Sequence, residues 1–145
     1  MIETLLDTGP LLAYLDADDR FHDWVCQQWR ALSPPLIICE PVLTEAVFLM
    51  KNQGVDLDSL WELLRREILE VDFDLEEDFE HVSALMRRYA NLPMDLADAC
   101  LVRMAEKRKD VRVFTLDSDF KIYRYFGQYI LIQYPLQLGL PPLKN

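Results

Sequence analysis

The sequence predicts an α/β fold: a three-layer α/β/α sandwich whose central, mostly parallel sheet has five strands. Short apolar runs alternate with longer segments in which apolar residues recur every three or four positions. Strands that alternate with helices in this way are typical of a parallel sheet covered on both faces. A length of 145 residues, of which 51% are hydrophobic, suits one domain spanning residues 1–145 with a single core.

The predicted strands are the apolar runs themselves. The first run ends at Asp7, where Thr8 is expected to supply an N-cap hydroxyl and Pro10 to lie in the first turn of a helix. Strands are predicted near positions 1–6, 36–39, 70–73, 112–115 and 129–132.

The predicted helices follow from apolar spacing and from capping residues. The segment 75–89 is typical, since Phe79, Val82, Leu85 and Met86 are three or four positions apart. A helical turn is expected within 119–125, and prolines indicate an extended tail over about 134–145. Longer helices are predicted near 11–15, 19–32, 41–50, 57–67, 75–89 and 95–109.

The net charge of −10 is unusual for a protein that binds nucleic acid, because phosphate backbones repel it. The charge is unevenly distributed. Residues 1–80 contain 19 acids and 5 bases, whereas residues 81–145 contain 6 acids and 10 bases. A basic surface is therefore expected only from the second half of the chain.

The cysteines and the amino-terminus indicate a cytoplasmic protein. Cys26, Cys39 and Cys100 are widely spaced and odd in number, which argues against a disulfide framework or a cysteine-ligated zinc site. The amino-terminus lacks the pattern of a secretory signal, and no apolar run is long enough to span a membrane.

Acidic residues at the ends of the predicted strands are the candidates for chemistry. Asp7 follows the first strand and Asp117 follows the fourth, and ligands of parallel sheets bind beyond the carboxyl ends of the strands. Glu45 lies beside the apolar stripe of its helix, three residues after Val42 and four before Leu49.

Asp98 is the fourth such acid, because Leu101, Val102 and Ala105 share its helix face. Each acid also has a structural explanation. Asp95 can cap the helix with Asp98 as its capping-box partner, and Asp7 or Asp117 can cap a turn. The acidic run at positions 76–78 and Glu80 are expected to form a solvated surface.

Four carboxylates near the points where successive strands lead into helices indicate a metal site when they are considered together. Like charges in one cleft repel unless a cation or a proton lies between them. A ligand set of oxygen atoms favours a hard cation, Mg²⁺ or Mn²⁺, over zinc.

Other motifs give weaker indications. His22 and His81 have no nucleophile nearby in sequence, so surface or half-buried helix positions are expected for both. The glycine-rich loops that hold nucleotide phosphates are absent from the sequence. Trp24, Trp29 and Trp61 are expected in the core or at a subunit contact rather than stacked on bases.

Four segments together resemble the PIN-domain family, which includes the VapC-type toxins of toxin–antitoxin pairs. They are LLDTGPLLAYLD at 5–16, LTEAVFLM at 43–50, PMDLADACLV at 93–102 and VFTLDSDF at 113–120. The resemblance implies the strand order 3-2-1-4-5. It also implies that the catalytic and metal-binding residues are Asp7, Glu45, Asp98 and Asp117. The auxiliary residues that it implies are Thr8, Asp95, Thr115 and Asp119.

The function implied by this resemblance is metal-dependent endoribonuclease activity with Mg²⁺ or Mn²⁺, in which Glu45 either ligates the metal or orients the attacking water. A basic antitoxin protein and a homodimer are further implications. A non-catalytic module that holds a basic partner on its acidic surface is the alternative, and a phosphatase is a third hypothesis. The candidate contacts to the RNA backbone are Arg103, Lys107, Arg108, Lys109, Arg112, Lys121 and Arg124, each of which is equally well explained as part of a solvated face.

Overall fold

The structure is a computed structural model that describes residues 2–117 and the backbone of residues 130–132. The predictions for the turn at 119–125 and for the tail at 134–145 lie outside these residues. So do those for Asp119, Lys121 and Arg124. In the part of the chain described, no helix is long and apolar enough to cross a membrane.

The described elements alternate between strands and helices much as the apolar pattern predicts. The strands are β1 (Glu3–Leu6), β2 (Leu36–Ile38), β3 (Leu69–Val71), β4 (Val111–Phe114) and β5 (Ile130–Ile132). The helices are α1 (Thr8–Leu15), α2 (His22–Trp29), α3 (Glu40–Gln53), α4 (Asp58–Arg65), α5 (Leu75–Arg88) and α6 (Leu96–Glu106).

The five strands form one sheet in the order β3-β2-β1-β4-β5, and every neighbouring pair is parallel. This order confirms the one implied by the sequence resemblance. Strand β1 lies at the centre, where Leu5 pairs with Ile37 of β2 and with Val113 of β4. The carboxyl ends of β1, β2 and β4 therefore meet at one edge of the sheet.

Helices cover both faces of the sheet. Consecutive residues of a strand point to opposite faces, and both Leu5 and Leu6 of β1 are fully buried. The same holds for Val113 and Phe114 of β4. Burial on both faces explains why these strands appear in the sequence as continuous apolar runs, and it confirms the three-layer α/β class.

Two helix starts differ from the predictions. Asp7, not Thr8, is the N-cap of α1, and its Oδ1 accepts a hydrogen bond of 2.8 Å from the backbone N–H of Thr8. Helix α2 begins at His22 instead of near Asp19. Asp19 Oδ1 accepts a 2.8 Å hydrogen bond from the backbone N–H of Phe21, so Asp19 holds a turn where the first helical turn was expected.

The acidic run at 76–78 is not a solvated surface throughout, because Asp78 is buried. Its Oδ1 accepts a 3.0 Å hydrogen bond from Nε of Arg103, and its Oδ2 accepts one of 2.7 Å from Nζ of Lys107. The hydrogen bond from Lys107 is the largest cause of a lowered pKa for Asp78. This carboxylate joins α5 to α6 and needs no metal to balance its charge.

The apolar residues of α5 divide into two groups. Val82 and Leu85 are buried in the core, whereas Phe79 and Met86 are 55% and 36% exposed. Spacing alone does not separate these groups, because Phe79 and Met86 lie at the margin of the same apolar stripe. Among the described residues, one side of α5 therefore presents an exposed apolar surface.

The tryptophans, histidines and cysteines lie where the sequence indicates. Trp29 is buried and stacks on Tyr14, Trp24 packs edge-on against Phe114, and Trp61 packs half-buried against the core. His22 occupies a half-buried helix position and His81 an exposed one. Nε2 of His22 lies 3.5 Å from Sγ of Cys26, four residues later, so the prediction that His22 has no nucleophile nearby was wrong. All three cysteines are free thiols.

Candidate metal centre

The pairing of β1 with β4 brings Asp7 and Asp117 to the same edge of the sheet. Leu6 is the register partner of Phe114, and the backbone N–H of Asp7 donates a 3.0 Å hydrogen bond to the carbonyl of Phe114. Thr115, one residue further on, is fully buried between the two acids. Its Oγ1 donates to Oδ2 of Asp7 at 2.7 Å and accepts from the backbone N–H of Asp117 at 2.9 Å.

Glu45 reaches this edge from α3, the helix that follows β2. It is half-buried on the second turn, beside the buried residues Val42 and Ala46. Oγ1 of Thr8 donates a hydrogen bond of 2.5 Å to Oε1 of Glu45. Because Thr8 directly follows Asp7, this bond ties Glu45 to the amino-terminal turn of α1.

Asp98 lies in the first turn of α6 and forms the capping box that the sequence allows as its structural explanation. The backbone N–H of Asp98 donates to Oδ1 of Asp95 at 2.8 Å, and the backbone N–H of Asp95 donates to Oδ2 of Asp98 at 3.2 Å. Capping accounts for an acid at this position but not for its burial. Asp98 is only 6% exposed, whereas its capping partner Asp95 is exposed.

Burial and the charges of neighbouring acids both act on Asp7 and Asp98. Burial raises the pKa of Asp7 from 3.8 to about 6, and the charges of Asp117 and Glu45 add to that rise. Burial likewise raises the pKa of Asp98 from 3.8 to about 8, with further contributions from Asp7, Asp95 and Asp117.

Without a cation, Asp98 is mostly protonated at neutral pH, whereas Asp7 is mostly charged but carries its charge at a cost, because it is buried beside other acids. Their cluster is the kind of environment that accepts either protons or a positive ion.

Three of the predicted contacts to an RNA backbone are occupied by ion pairs within the protein. Arg103 and Lys107 bind Asp78, as described above. Arg108 is only 13% exposed and lies between Glu3 and Asp72, at 3.6 Å and 3.3 Å. These cations stabilise contacts between elements, so the prediction that they contact RNA is not supported by their positions.

The acid cluster fits a hydrated magnesium or manganese ion better than a directly caged one. Within residues 2–117, no three His, Cys, Asp or Glu side chains lie close enough together to ligate one ion directly. Mg²⁺ ordinarily keeps several waters and takes only one or two carboxylates from the protein. Asp7 and Asp98, two buried carboxylates of raised pKa, match that number of ligands, and their oxygen atoms are the donors that Mg²⁺ prefers. Glu45 and Asp117 are half-buried beside them.

A groove of about 1050 Å³ adjoins the cluster, and the sequence gives little indication of it. Glu45 and Asp95 line the end nearest the other acids, and Phe48, Phe73 and Leu75 contribute apolar surface. The only signal in the sequence is a large apolar residue, Phe48, three positions after Glu45 on α3. In the structure its side chain is 62% exposed. The remaining lining residues are Glu40, Pro41, Thr44, Asp74, Glu76, Leu96 and Ala97.

One solved structure with this fold is the crystal structure of VapC20 from Mycobacterium tuberculosis, a toxin that cleaves the sarcin–ricin loop. The two superpose with a TM-score of 0.73 over 83% of this chain and 94% of VapC20, at 18% sequence identity. At this identity the similarity establishes the fold. No curated protein sequence matches the chain significantly.

The family model for the PIN domain matches residues 4–124, which is most of the chain and contains all four acids of the cluster. The match agrees with the four motifs found in the sequence and with the strand order of the sheet. The chain therefore belongs to the PIN-domain family.

Proposed function

We propose that this protein is a Mg²⁺- or Mn²⁺-dependent endoribonuclease that hydrolyses RNA phosphodiester bonds at the acid cluster. The observation that carries the proposal is the burial of Asp7 and Asp98 beside two further acids, which raises both pKa values. Asp78, the other buried carboxylate among the described residues, has two cationic partners, Arg103 and Lys107. Two buried carboxylates that repel each other are costly for stability, and a bound divalent ion removes that cost.

The residues of the cluster divide into ligands and positioning groups. Asp7, Asp98 and Asp117 would hold the metal, at most two of them directly and the remainder through its water molecules. The ion, when bound, lowers the pKa of a coordinated water and offsets charge on the scissile phosphate. Thr115 holds the carboxylate of Asp7 and the backbone of Asp117 in one geometry. Asp95 fixes Asp98 through the capping box.

Glu45 has a different environment from the three aspartates. Its Oε1 is engaged by Thr8, which leaves Oε2 to face the cluster or the groove. We assign Glu45 to contact through water, where it can accept a proton from the nucleophile or orient it. Its position at the end of the groove suits this role, because the groove gives substrate and solvent access to the acids.

The experiment that tests this function compares three substrates with the purified protein. With Mn²⁺ or Mg²⁺ present, we expect endonucleolytic cleavage of RNA, weaker or no cleavage of single-stranded DNA of the same sequence, and no hydrolysis of a phosphomonoester. Asp7→Asn and Asp98→Asn should abolish the cleavage. Glu77→Gln, which removes an exposed acid of α5, is the matched control and should retain it.

Equal activity in Asp7→Asn and the unaltered protein would overturn the proposal. Hydrolysis confined to the phosphomonoester would indicate a phosphatase instead.

A basic antitoxin protein is the partner that we propose with this function. The support is twofold: VapC20, which shares the fold, is a toxin, and the groove beside the acids is rimmed by Glu40, Asp74 and Glu76. Acids around an apolar floor suit a segment with cationic and apolar side chains. Such a segment would close the groove that leads to Glu45.

The same groove supports the alternative, a non-catalytic module that holds a basic protein. The two functions differ in their need for a metal. Calorimetry that detects no binding of Mn²⁺ at millimolar concentration, together with tight binding of a basic partner, would favour the module. Binding of Mn²⁺ that is lost in Asp98→Asn would favour the nuclease.

A further inference from the structure

Helix α2 carries an imidazole and a thiol one turn apart. Sγ of Cys26 lies 3.5 Å from Nε2 and 3.8 Å from Nδ1 of His22, four residues earlier. Residues four apart in a helix lie on the same side of it, so the helix itself holds the two groups together. Both side chains are half-buried, which leaves part of each accessible to a small molecule.

The backbone of α1 fixes the orientation of the imidazole. Nδ1 of His22 lies 2.6 Å from the carbonyl oxygen of Ala13. A carbonyl oxygen can only accept a hydrogen bond, so Nδ1 carries a hydrogen and donates it. In the neutral ring the lone pair is then on Nε2, the nitrogen nearer to the sulfur. The thiol of Cys26 therefore donates to a nitrogen that can take its proton.

This arrangement of thiol, base and carbonyl is the one that activates a cysteine. The thiolate is the nucleophile, and only a few per cent of an ordinary cysteine, roughly 3%, is ionised at neutral pH. A base within reach of the sulfur, itself oriented by a third group, raises that fraction. Here His22 is the base, and the carbonyl of Ala13 is the group that orients it.

We propose that Cys26 is a site of covalent modification, where a disulfide of low molecular mass forms a mixed disulfide with the chain. The proton of the thiol passes to Nε2 of His22, and the thiolate attacks one sulfur of the small disulfide. A new S–S bond forms as the old one breaks, so Cys26 is oxidised and the other half of the small disulfide is reduced. That half leaves as a thiolate and takes the proton from the imidazolium.

The site is separate from the acid cluster. Helix α1 begins beside Asp7, and Ala13 lies six residues further along it, roughly 9 Å along the helix axis. None of the four acids takes part in the exchange at sulfur. The inference therefore does not rest on nuclease activity, and it can be tested without RNA or metal.

The other two cysteines serve as internal references. Cys39 and Cys100 are fully buried in the core, so a reagent reaches them only when the chain unfolds. A fast reaction of the native chain therefore reports on Cys26. The unfolded chain gives the rate of the same thiol without its base.

The test is the rate at which the reduced, full-length chain reacts with dithiodipyridine, a neutral aromatic disulfide, at neutral pH. We expect one thiol per chain to react about tenfold faster in the native protein than in urea, although unfolding exposes the sulfur fully. Glutathione measured in both solutions corrects for the effect of urea on the reaction. Cys26→Ser should lose the fast phase.

A pair of histidine variants separates activation from shielding. His22→Gln can still donate to the carbonyl of Ala13 but has no basic nitrogen, and it should slow the reaction about tenfold. His81→Gln, which changes an exposed histidine of α5, is the matched control and should leave the rate unchanged. If His22 only shielded the sulfur, its replacement would speed the reaction instead. Circular dichroism shows whether each variant folds.

Any one of three results would overturn the proposal. They are a native thiol that reacts no faster than the unfolded chain, a fast phase that survives in Cys26→Ser, and a rate in His22→Gln that equals or exceeds that of the wild type.

Discussion

The hydroxyl of Thr115 donates a 2.7 Å hydrogen bond to Oδ2 of Asp7, which lies 108 residues earlier in the chain. This hydrogen bond lowers the pKa of Asp7, whereas burial raises it. We expect Thr115→Val to raise the pKa of Asp7 further and to weaken Mn²⁺ binding by roughly 10- to 100-fold, as is typical when a partner of a metal ligand is lost. Calorimetric titration with Mn²⁺ measures the change.

Thr115→Ser is the control, because it keeps the hydroxyl and should bind Mn²⁺ with nearly wild-type affinity. An affinity in Thr115→Val equal to that of Thr115→Ser would show that the hydroxyl does not position Asp7.

Replacement of Asp98 should separate its two roles, as helix cap and as metal ligand. In Asp98→Asn the side-chain oxygen can still accept the N–H of Asp95, while the repelling charge beside Asp7 is gone. We expect the metal-free variant to melt at the same or a higher temperature than the wild type at neutral pH, and to lose RNA cleavage. Asp98→Ala, which removes the cap as well, should be destabilised by about 1 kcal/mol. A fall of several degrees for Asp98→Asn would instead indicate that capping is its main role.

Glu45 should affect the rate of cleavage more than the affinity for metal. Its Oε1 accepts the hydroxyl of Thr8, and it is less buried than Asp7 and Asp98. We expect Glu45→Gln to lower kcat by roughly 100-fold, the usual contribution of a general base. Its Kd for Mn²⁺ should change far less than that of Asp98→Asn. Equal losses of Mn²⁺ affinity in the two variants would make Glu45 a direct ligand.

Asp78 should be important for stability and not for chemistry. Asp78→Asn weakens hydrogen bonds from Arg103 and Lys107 that join α5 to α6. It also removes the anion that the two cations share and leaves Arg103 with Glu106 alone, at 3.7 Å. We expect the free energy of unfolding in urea to fall by about 2 kcal/mol at neutral pH, with Mn²⁺ affinity unchanged. Because the pKa of Asp78 is lowered, this contribution is present at neutral pH and is lost as pH falls below about 4 in the unaltered protein.

The stability of the metal-free protein should decrease as pH rises. The pKa values of Asp7 and Asp98 are raised from 3.8 to about 6 and about 8, so both groups bind protons more tightly in the folded than in the unfolded state. Their stabilising contribution is complete below about pH 4 and is lost as pH rises through these two values. For Asp7 alone the loss is on the order of 3 kcal/mol.

Urea unfolding at several pH values in a chelator measures this loss. Excess Mg²⁺ should reduce the loss, because the ion takes the place of the protons. If the free energy of unfolding fell with pH equally steeply with and without Mg²⁺, the assignment of these acids to a metal site would be contradicted.

The sequence was sufficient for the parts of this structure that depend on local pattern. Apolar runs and their turns predicted the strands, and the ends of two of those runs identified Asp7 and Asp117 as candidates for chemistry. The convergence of Asp7 with Asp117 follows from the pairing of β1 with β4, an order that came from the family resemblance and not from periodicity.

Features that depend on tertiary partners were not predictable. Asp78 belongs to an acidic run that looks solvated, and its burial depends on two cations more than 20 residues away on another helix. Phe79 and Val82 have the same apolar character and similar helix spacing, yet one is exposed and the other buried. Only the position of α5 against α6 decides between them.

The most direct test of the account is calorimetric titration of Mn²⁺ into the purified, metal-free chain at neutral pH, compared with Asp7→Asn and with the exposed-acid control Glu77→Gln. The account predicts saturable binding to the wild type and to Glu77→Gln, with release of protons from the cluster, and loss of that binding in Asp7→Asn. Binding of equal affinity in all three proteins, or no binding to the wild type, would contradict the claim that these acids form a metal site.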